Sequence, residues 1–174
     1  KTDIHEHIAA AGLNRQFIGG HPMAGSERVG YANSKATLLE NAYYILTPTE
    51  KSPAIRLEEL RQLAEGMGAI PIIIDSDKHD YITAAISHLP HVVAAALVNL
   101  VRDSDSEDGL MKRVAAGGFK DITRIASSSA TMWQQICLTN TENISELLGA
   151  YIDSLISAKA KLDSQDSDAL YELF

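Results

Sequence analysis

A histidine next to a proline is the first candidate for chemistry in this sequence. His21 follows the apolar segment 17–20 and precedes Pro22. The segment is typical of a strand that runs into a glycine-rich turn, and ligands of open parallel sheets bind outside the carboxyl ends of strands. A histidine at such an end can accept a proton near neutral pH. Alternatively, this histidine has no chemical role and only donates a hydrogen bond to a nearby loop carbonyl.

Three further histidines lie on one predicted helix. His88 and His91 are placed on one face by their spacing, although Pro90 distorts the helix, and His79 lies on a roughly similar side. Such a cluster could bind an anion, relay protons or ligate a metal. His79 and Asp80 are also similar to a pair found in metal-dependent phosphohydrolases, but supporting carboxylates are not evident. A set of hydrogen-bonded, partly buried helix histidines is the alternative.

Arg124 is a candidate for binding an anion. It follows Gly117 by seven residues, in a stretch of small and hydroxyl side chains. A guanidinium group matches a carboxylate with two parallel hydrogen bonds, and glycine lets the backbone approach a ligand closely. A surface ion pair between Arg124 and Asp121 is the alternative. Trp133, the single tryptophan, is more often a core residue than a ligand.

The elements that must position these residues divide the chain into two parts. In residues 1–75, helix-like and strand-like segments alternate, with strands expected at 17–20, 42–46 and 70–74, the last one buried. Ser52 and Pro53 are typical of a helix start between the second and third of these strands. The strand–helix–strand order predicts the tail of a parallel, doubly wound sheet.

Residues 76–174 are predicted to be helical. We expect Ser76 to cap a long helix with a kink at Pro90, the glycine pair 117–118 to break the chain, and Thr141 to cap a late amphipathic helix. The predicted fold class is therefore an α/β remnant of a doubly wound, Rossmann-like domain at 1–75, followed by an all-α dimerisation domain at 76–174.

Composition limits the classes of partner. The chain has 174 residues and a net charge of −8, without a basic run, so nucleic acid is not expected as a partner. No apolar stretch approaches the roughly 20 residues of a membrane span, so no membrane contact is expected. The single cysteine, Cys137, excludes an intramolecular disulfide and fits the cytoplasm. The sequence lacks a Gly-x-Gly-x-x-Gly motif, so we expect it to be the later part of a longer protein.

Three segments together resemble the prephenate and arogenate dehydrogenase family, and the likeness covers nearly the whole chain. They are His-Pro-Met-Ala-Gly-Ser-Glu at 21–27, Ser-His-Leu-Pro-His at 87–91 and Gly-Gly-Phe-Lys-Asp-Ile-Thr-Arg at 117–124. The resemblance implies oxidative decarboxylation of prephenate, or of its amino relative arogenate, with a nicotinamide cofactor on the route to tyrosine.

The resemblance also implies roles for individual residues. His21 would take the proton of the ring hydroxyl, Arg124 would bind a substrate carboxylate, and His91 would lie near the substrate side chain. The other residues that match family positions are His79, His88, Gly117 and Trp133 in the substrate pocket, Glu27 and Asp121 as a gating pair, and Pro22, Met23 and Gly25 at the cofactor.

The resemblance makes prephenate and NAD the default substrate and cofactor, with arogenate and NADP left open, no resident metal, and a homodimer as the assembly. Because the dinucleotide motif is missing, we expect the isolated chain to be inactive or barely active. Two other hypotheses remain: a helical dimer or binding module without turnover, and a metal-dependent phosphohydrolase built on His79 and Asp80.

Overall fold

A three-stranded sheet and two helices form the first part of the chain. The computed structural model describes residues 1–25 and 30–174. Helix α1 (Thr2–Ala10) precedes strand β1 (Ile18–Pro22), and strand β2 (Tyr43–Pro48), helix α2 (Ala54–Gly66) and strand β3 (Ile70–Ile73) follow. The strand order is β1-β2-β3. β2 and β3 are parallel, as the strand–helix–strand order predicts, whereas β1 is antiparallel to β2.

The core of the sheet lies along β2, where Ile45, Leu46 and Thr47 are all buried. Strand β1 approaches β2 closely because it carries two glycines. A Cβ atom on Gly19 would collide with the Thr47 hydroxyl, and one on Gly20 would lie 3.0 Å from the Tyr44 ring. The two glycines therefore allow β1 to pair with β2 as far as its last residues.

Three local expectations for this part are wrong. His21 does not follow the strand but lies in it, paired with Ile45. Strand β3 is not buried, since Ile70 and Ile73 are 43% and 45% exposed. It is an edge strand, and its apolar composition does not reveal whether anything covers it. Ser52 does not cap α2, because its hydroxyl donates to the Phe17 carbonyl and accepts from the Thr49 amide in a local turn.

A continuous helix opens the second part. It consists of α3 (Ser76–Thr83), a π-helical turn (Ala84–His88) and α4 (Leu89–Ser104). The residue that caps it is Asp75 rather than Ser76, since the Asp75 carboxylate accepts from the Lys78 amide at 2.7 Å. The π-helical turn lies directly before Pro90, because a proline ring crowds the carbonyl four residues earlier and has no N–H to donate. The expected distortion at Pro90 takes this form.

The rest of the chain is helical, as predicted, with short connections. The elements are α5 (Leu110–Val114), α6 (Gly117–Thr123), a 3-10 turn (Arg124–Ser127), α7 (Ala130–Thr139), α8 (Thr141–Asp163) and α9 (Ser167–Tyr171). The expected break at Gly117 and Gly118 is wrong, since both residues begin α6. Thr141 is the first residue of α8 and not its cap; its hydroxyl donates back to the Cys137 carbonyl.

The continuous helix Ser76–Ser104 also corrects the expectation about membrane-spanning segments. By length and composition alone it is long and apolar enough to cross a membrane. Polar residues divide the helix into short apolar stretches, so no single uninterrupted apolar run reveals this property. Within the helix, however, Asp80 and His88 are hydrogen-bonded to residues of other elements. These two polar side chains therefore face other parts of the protein.

Candidate functional site

A cavity of about 440 Å³ lies between the end of β1 and the helical part. From the first part it is lined by His21 and the residues that follow it, and from the helical part by Arg124 and its neighbours. The predicted site residues that line it are His21, Pro22, Met23, Gly25, His91, Arg124 and Trp133. Residues that are distant in the sequence thus share one open cavity.

His21 is held in the cavity wall by two sets of contacts. Its backbone pairs with Ile45 in the sheet, and its Nδ1 atom lies 2.7 Å from Nε2 of His79. Burial, assisted by the neighbouring His79, lowers the pKa of His21 to about 4. The imidazole is therefore neutral near pH 7 and can accept a proton.

His79 and Asp80 lie behind His21 and not in the cavity lining. Both are buried, with 4% and 5% exposure, and His79 Nδ1 lies 2.7 Å from Asp80 Oδ1. Burial alone would raise the pKa of Asp80, but hydrogen bonds from His79 and from the main-chain nitrogens of Lys1 and Thr2 hold it well below its usual range. Asp80 is therefore ionised and accepts hydrogen bonds only.

Arg124 supplies a cation to the cavity lining from the helical part. It begins the 3-10 turn that follows α6, and the Ser127 hydroxyl donates to its carbonyl at 2.7 Å. Within residues 1–25 and 30–174 it forms no ion pair, so the alternative of a surface pair with Asp121 is wrong for this structure. The guanidinium is therefore available to an anion in the cavity.

Two aromatic rings form another wall of the cavity. The His91 ring stacks on Trp133 with 3.7 Å between centroids, and His91 Nδ1 lies 2.9 Å from the Ser87 carbonyl. His88 meets the same tryptophan edge-on from outside the cavity, and burial lowers the pKa of His88. Trp133 Nε1 is buried and has no hydrogen-bond acceptor in the described part of the chain.

Asn140 is a residue that the sequence analysis missed. It is 9% exposed and lies between α7 and α8. Its Nδ2 atom donates to the Asp80 carbonyl at 2.8 Å and lies 3.2 Å from His88 Nδ1. An asparagine before a helix is also what an ordinary cap would give. The sequence therefore holds no signal for its contacts with residues 80 and 88.

Several predicted site residues lie elsewhere. His79, His88, Gly117 and Asp121 do not line the cavity, and Glu27 lies outside the described residues. The phosphohydrolase hypothesis is weakened, since both ring nitrogens of His79 are within hydrogen-bond distance of other side chains. Among residues 1–25 and 30–174, no group of three or more His, Cys, Asp or Glu side chains could hold a metal ion.

Comparison with known proteins gives the family. Residues 1–73 match the prephenate dehydrogenase nucleotide-binding domain, and residues 75–174 match the prephenate dehydrogenase dimerisation domain. The chain belongs to the prephenate dehydrogenase family. This confirms the resemblance and the fold class of a partial Rossmann-like region followed by a helical domain.

Individual relatives agree with this assignment. The chain is 43% identical over 159 residues to the prephenate dehydrogenase of Bacillus subtilis (strain 168), covering 91% of this chain and 43% of the relative. A prephenate dehydrogenase from Aquifex aeolicus, in complex with hydroxyphenyl propionate and NAD+, has a TM-score of 0.86 at 36% identity, covering 92% of this chain and 56% of that one.

Arogenate enzymes are also among the similar structures. The Synechocystis arogenate dehydrogenase has a TM-score of 0.82 at 31% identity, covering 94% of this chain and 60% of the other. The chain spans about half the length of the curated relatives that it matches.

Proposed function

We propose that this chain forms the substrate site and the dimer-forming half of an NAD-dependent prephenate dehydrogenase. The reaction is the oxidative decarboxylation of prephenate to 4-hydroxyphenylpyruvate in tyrosine biosynthesis. One observation carries the proposal: the neutral imidazole of His21 lines the same cavity as the guanidinium of Arg124, which forms no ion pair within the described part of the chain.

The charge of the substrate fits the cavity. Prephenate carries two carboxylates, and the chain has a net charge of −8, so a local cation must offset the general repulsion of an anion. Arg124 is that cation, and its planar fork can bind one carboxylate through two hydrogen bonds. His91, stacked on Trp133, adds a polar edge to the same wall.

His21 accepts the proton of the ring hydroxyl. As hydride leaves the carbon that bears the hydroxyl, the O–H bond weakens, and neutral His21 takes the proton. The bond to the ring carboxylate then breaks, carbon dioxide leaves, and the electron pair of that bond completes the aromatic ring. The proton returns to the oxygen, which becomes the phenol of the product.

The described residues could contact only the nicotinamide end of the cofactor. Pro22, Met23 and Gly25 line the cavity next to His21 and are the residues that would contact a nicotinamide ring. The sequence has no glycine-rich dinucleotide motif, so the phosphates would need residues other than these. When bound, NAD supplies the acceptor for the hydride.

A second copy of the chain is the expected partner. Residues 75–174 match a dimerisation domain, and the helical part exposes large apolar side chains that a monomer would leave in water. The most exposed of them along α4, α5, α6 and α8 are Leu100, Val114, Ile122, Ile156 and Leu162. Contact with a second copy, rather than a membrane, could therefore cover the exposed apolar residues of the helix Ser76–Ser104.

The function is tested by replacing His21 in the full-length protein that contains this chain. His21→Asn should lower kcat for prephenate by roughly two to four orders of magnitude, the usual effect of losing a general base. His7→Asn is the matched control, since His7 is exposed and lies outside the cavity. Near-normal turnover by His21→Asn would remove the proposed role of His21.

Arogenate is the second candidate substrate, favoured by the similarity to the Synechocystis enzyme. It differs from prephenate by an amino group in place of the side-chain keto group. Assays of the same protein with each substrate, and with NAD and NADP, distinguish the four combinations. A protein that binds hydroxyphenyl propionate but oxidises neither substrate would support the alternative of a binding module. The single cysteine also makes the cytoplasm the compartment that we expect.

A further inference from the structure

The carboxylate of Asp80 is surrounded by hydrogen-bond donors. Its Oδ1 atom lies 2.5 Å from the main-chain nitrogen of Lys1 and 2.7 Å from His79 Nδ1, and its Oδ2 atom lies 2.8 Å from the amide of Thr2. An ionised carboxylate only accepts hydrogen bonds. The proton of the His79–Asp80 bond is therefore on Nδ1 of His79.

The direction of the His79–Asp80 hydrogen bond determines the direction of the next bond, between His79 and His21. In a neutral His79 with its proton on Nδ1, the Nε2 atom carries a lone pair. This Nε2 lies 2.7 Å from Nδ1 of His21, so His21 must donate its Nδ1–H to it. The remaining ring nitrogen of His21, Nε2, is then left without a proton and is the one available as a base.

We propose that Asp80 and His79 are positioning residues that fix His21 in the Nδ1–H tautomer, with its Nε2 free to take a proton. The inference rests on the proposed function of His21 as the base, and it adds the residues that prepare His21 for that role. Free histidine in water favours the opposite tautomer, with the proton on Nε2. The protein must therefore impose the tautomer that catalysis requires, and burial of both His79 and Asp80 protects the bonds that do so.

Asp80→Asn tests the proposal with an isosteric change. An asparagine amide has one oxygen and one NH₂ group, whereas the site presents donors to both oxygens of the carboxylate. A neutral amide oxygen attracts the Nδ1 proton of His79 less strongly than a carboxylate does, and an NH₂ group turned towards His79 reverses each bond. Either orientation therefore moves His21 towards the form with its proton on Nε2. Asp77→Asn is the matched control: the same substitution on the same helix, at a carboxylate that accepts only from the Thr2 hydroxyl in the described structure.

The measurement is a long-range ¹H–¹⁵N spectrum of ¹⁵N-histidine-labelled protein at neutral pH, which reports which ring nitrogen carries the proton. The His21 signals are assigned by their loss in His21→Gln. We expect the Nδ1–H form to dominate in the unmodified protein and in Asp77→Asn, and the population of the Nε2–H form to rise in Asp80→Asn. His21 with its proton on Nε2 in the unmodified protein would overturn the proposal, as would an unchanged tautomer in folded Asp80→Asn.

Two substitutions of His79 keep the test decisive if Asp80→Asn does not fold. Glutamine can accept from His21 Nδ1 through its carbonyl and donate to Asp80 through its amide, so His79→Gln should retain the Nδ1–H form. His79→Leu can do neither and should release His21 to the Nε2–H form. Retention of the Nδ1–H form in folded His79→Leu would contradict the proposal, as would its loss in His79→Gln.

Kinetics separate positioning from substrate binding. In the full-length enzyme, Asp80→Asn should lower kcat by roughly a hundredfold to ten-thousandfold, the scale of a histidine held in the wrong tautomer, with a change in KM of less than about threefold. An equal loss in Asp77→Asn would contradict this. The tautomer is measured without turnover, so an inactive protein with the expected tautomer would refute the proposed function alone. An active protein with the opposite tautomer would refute this inference alone.

Discussion

Acid should destabilise the fold through His21. Burial lowers the pKa of this residue from 6.5 to about 4, whereas the unfolded chain restores the ordinary value. Above about pH 6.5 both states are neutral at this position, and stability is unaffected. As the pH falls from about 6.5 towards 4, the unfolded state binds a proton that the folded state does not bind. The free energy of unfolding therefore decreases over that window.

The size of the effect follows from the two pKa values. The full difference corresponds to roughly 3 kcal/mol. His21 is only partly buried, and solvent screens part of this energy, so we expect about 1 to 2 kcal/mol in total. At about pH 5 roughly half of it, about 0.5 to 1 kcal/mol, should already be lost. His5 and His88, whose pKa values are also lowered mainly by burial, add to the slope of the unmodified protein.

The assay compares urea denaturation at about pH 7.5 and pH 5 for the unmodified protein and His21→Asn. The variant should lose about 0.5 to 1 kcal/mol less stability between these two conditions, because the titrating group is gone. His7→Asn is the control. The main-chain carbonyl and the carboxylate of Asp3 raise the pKa of His7, so removing this exposed histidine has the opposite sign and does not relieve the loss. Equal losses in the unmodified protein and His21→Asn would refute the assigned burial effect.

Three further predictions concern binding, packing and assembly. In the full-length protein that contains this chain, Arg124→Lys should raise KM for prephenate by at least about tenfold, since an ammonium cannot reproduce the planar fork; an unchanged KM would contradict the role of Arg124. Gly19→Ala should destabilise the fold by about 1 to 3 kcal/mol in urea denaturation, because its Cβ collides with buried Thr47; the control Gly149→Ala, whose Cβ meets nothing, should not destabilise. Sedimentation should give a dimer at micromolar concentration, and a stable monomer would refute the proposed assembly.

Local chemistry in the sequence was enough to predict most elements of the fold. Proline restricts the backbone, whereas glycine permits a positive φ. The irregular turn before Pro90 and the end of α2 near Gly68, which has a φ of +81°, could therefore be expected from residue types alone. The periodic apolar residues likewise predicted the helical second part. The same local logic failed at Gly117 and Gly118, because glycines at the start of a helix and in a break look alike in sequence.

Burial could not be read from the sequence in the same way. The apolar segment that became β3 was expected to be buried, yet Ile70 and Ile73 lie on an exposed edge strand. Apolar composition predicts what a residue prefers, whereas exposure depends on which other elements cover it. Similarly, the polar residues Asp80 and Asn140 are buried because each has hydrogen-bond partners supplied by distant parts of the chain.

The sequence by itself determined the family and the residue types available for chemistry: a histidine beside Pro22, an arginine after Thr123, and a group of helix histidines. Only the tertiary structure decided which of them meet. It placed His21 and Arg124 in one cavity and separated His79 from that cavity by putting it behind His21. The direction of a hydrogen bond and the pKa of a buried imidazole depend on atoms within a few ångströms, and the neighbours that supply those atoms come from distant positions in the chain.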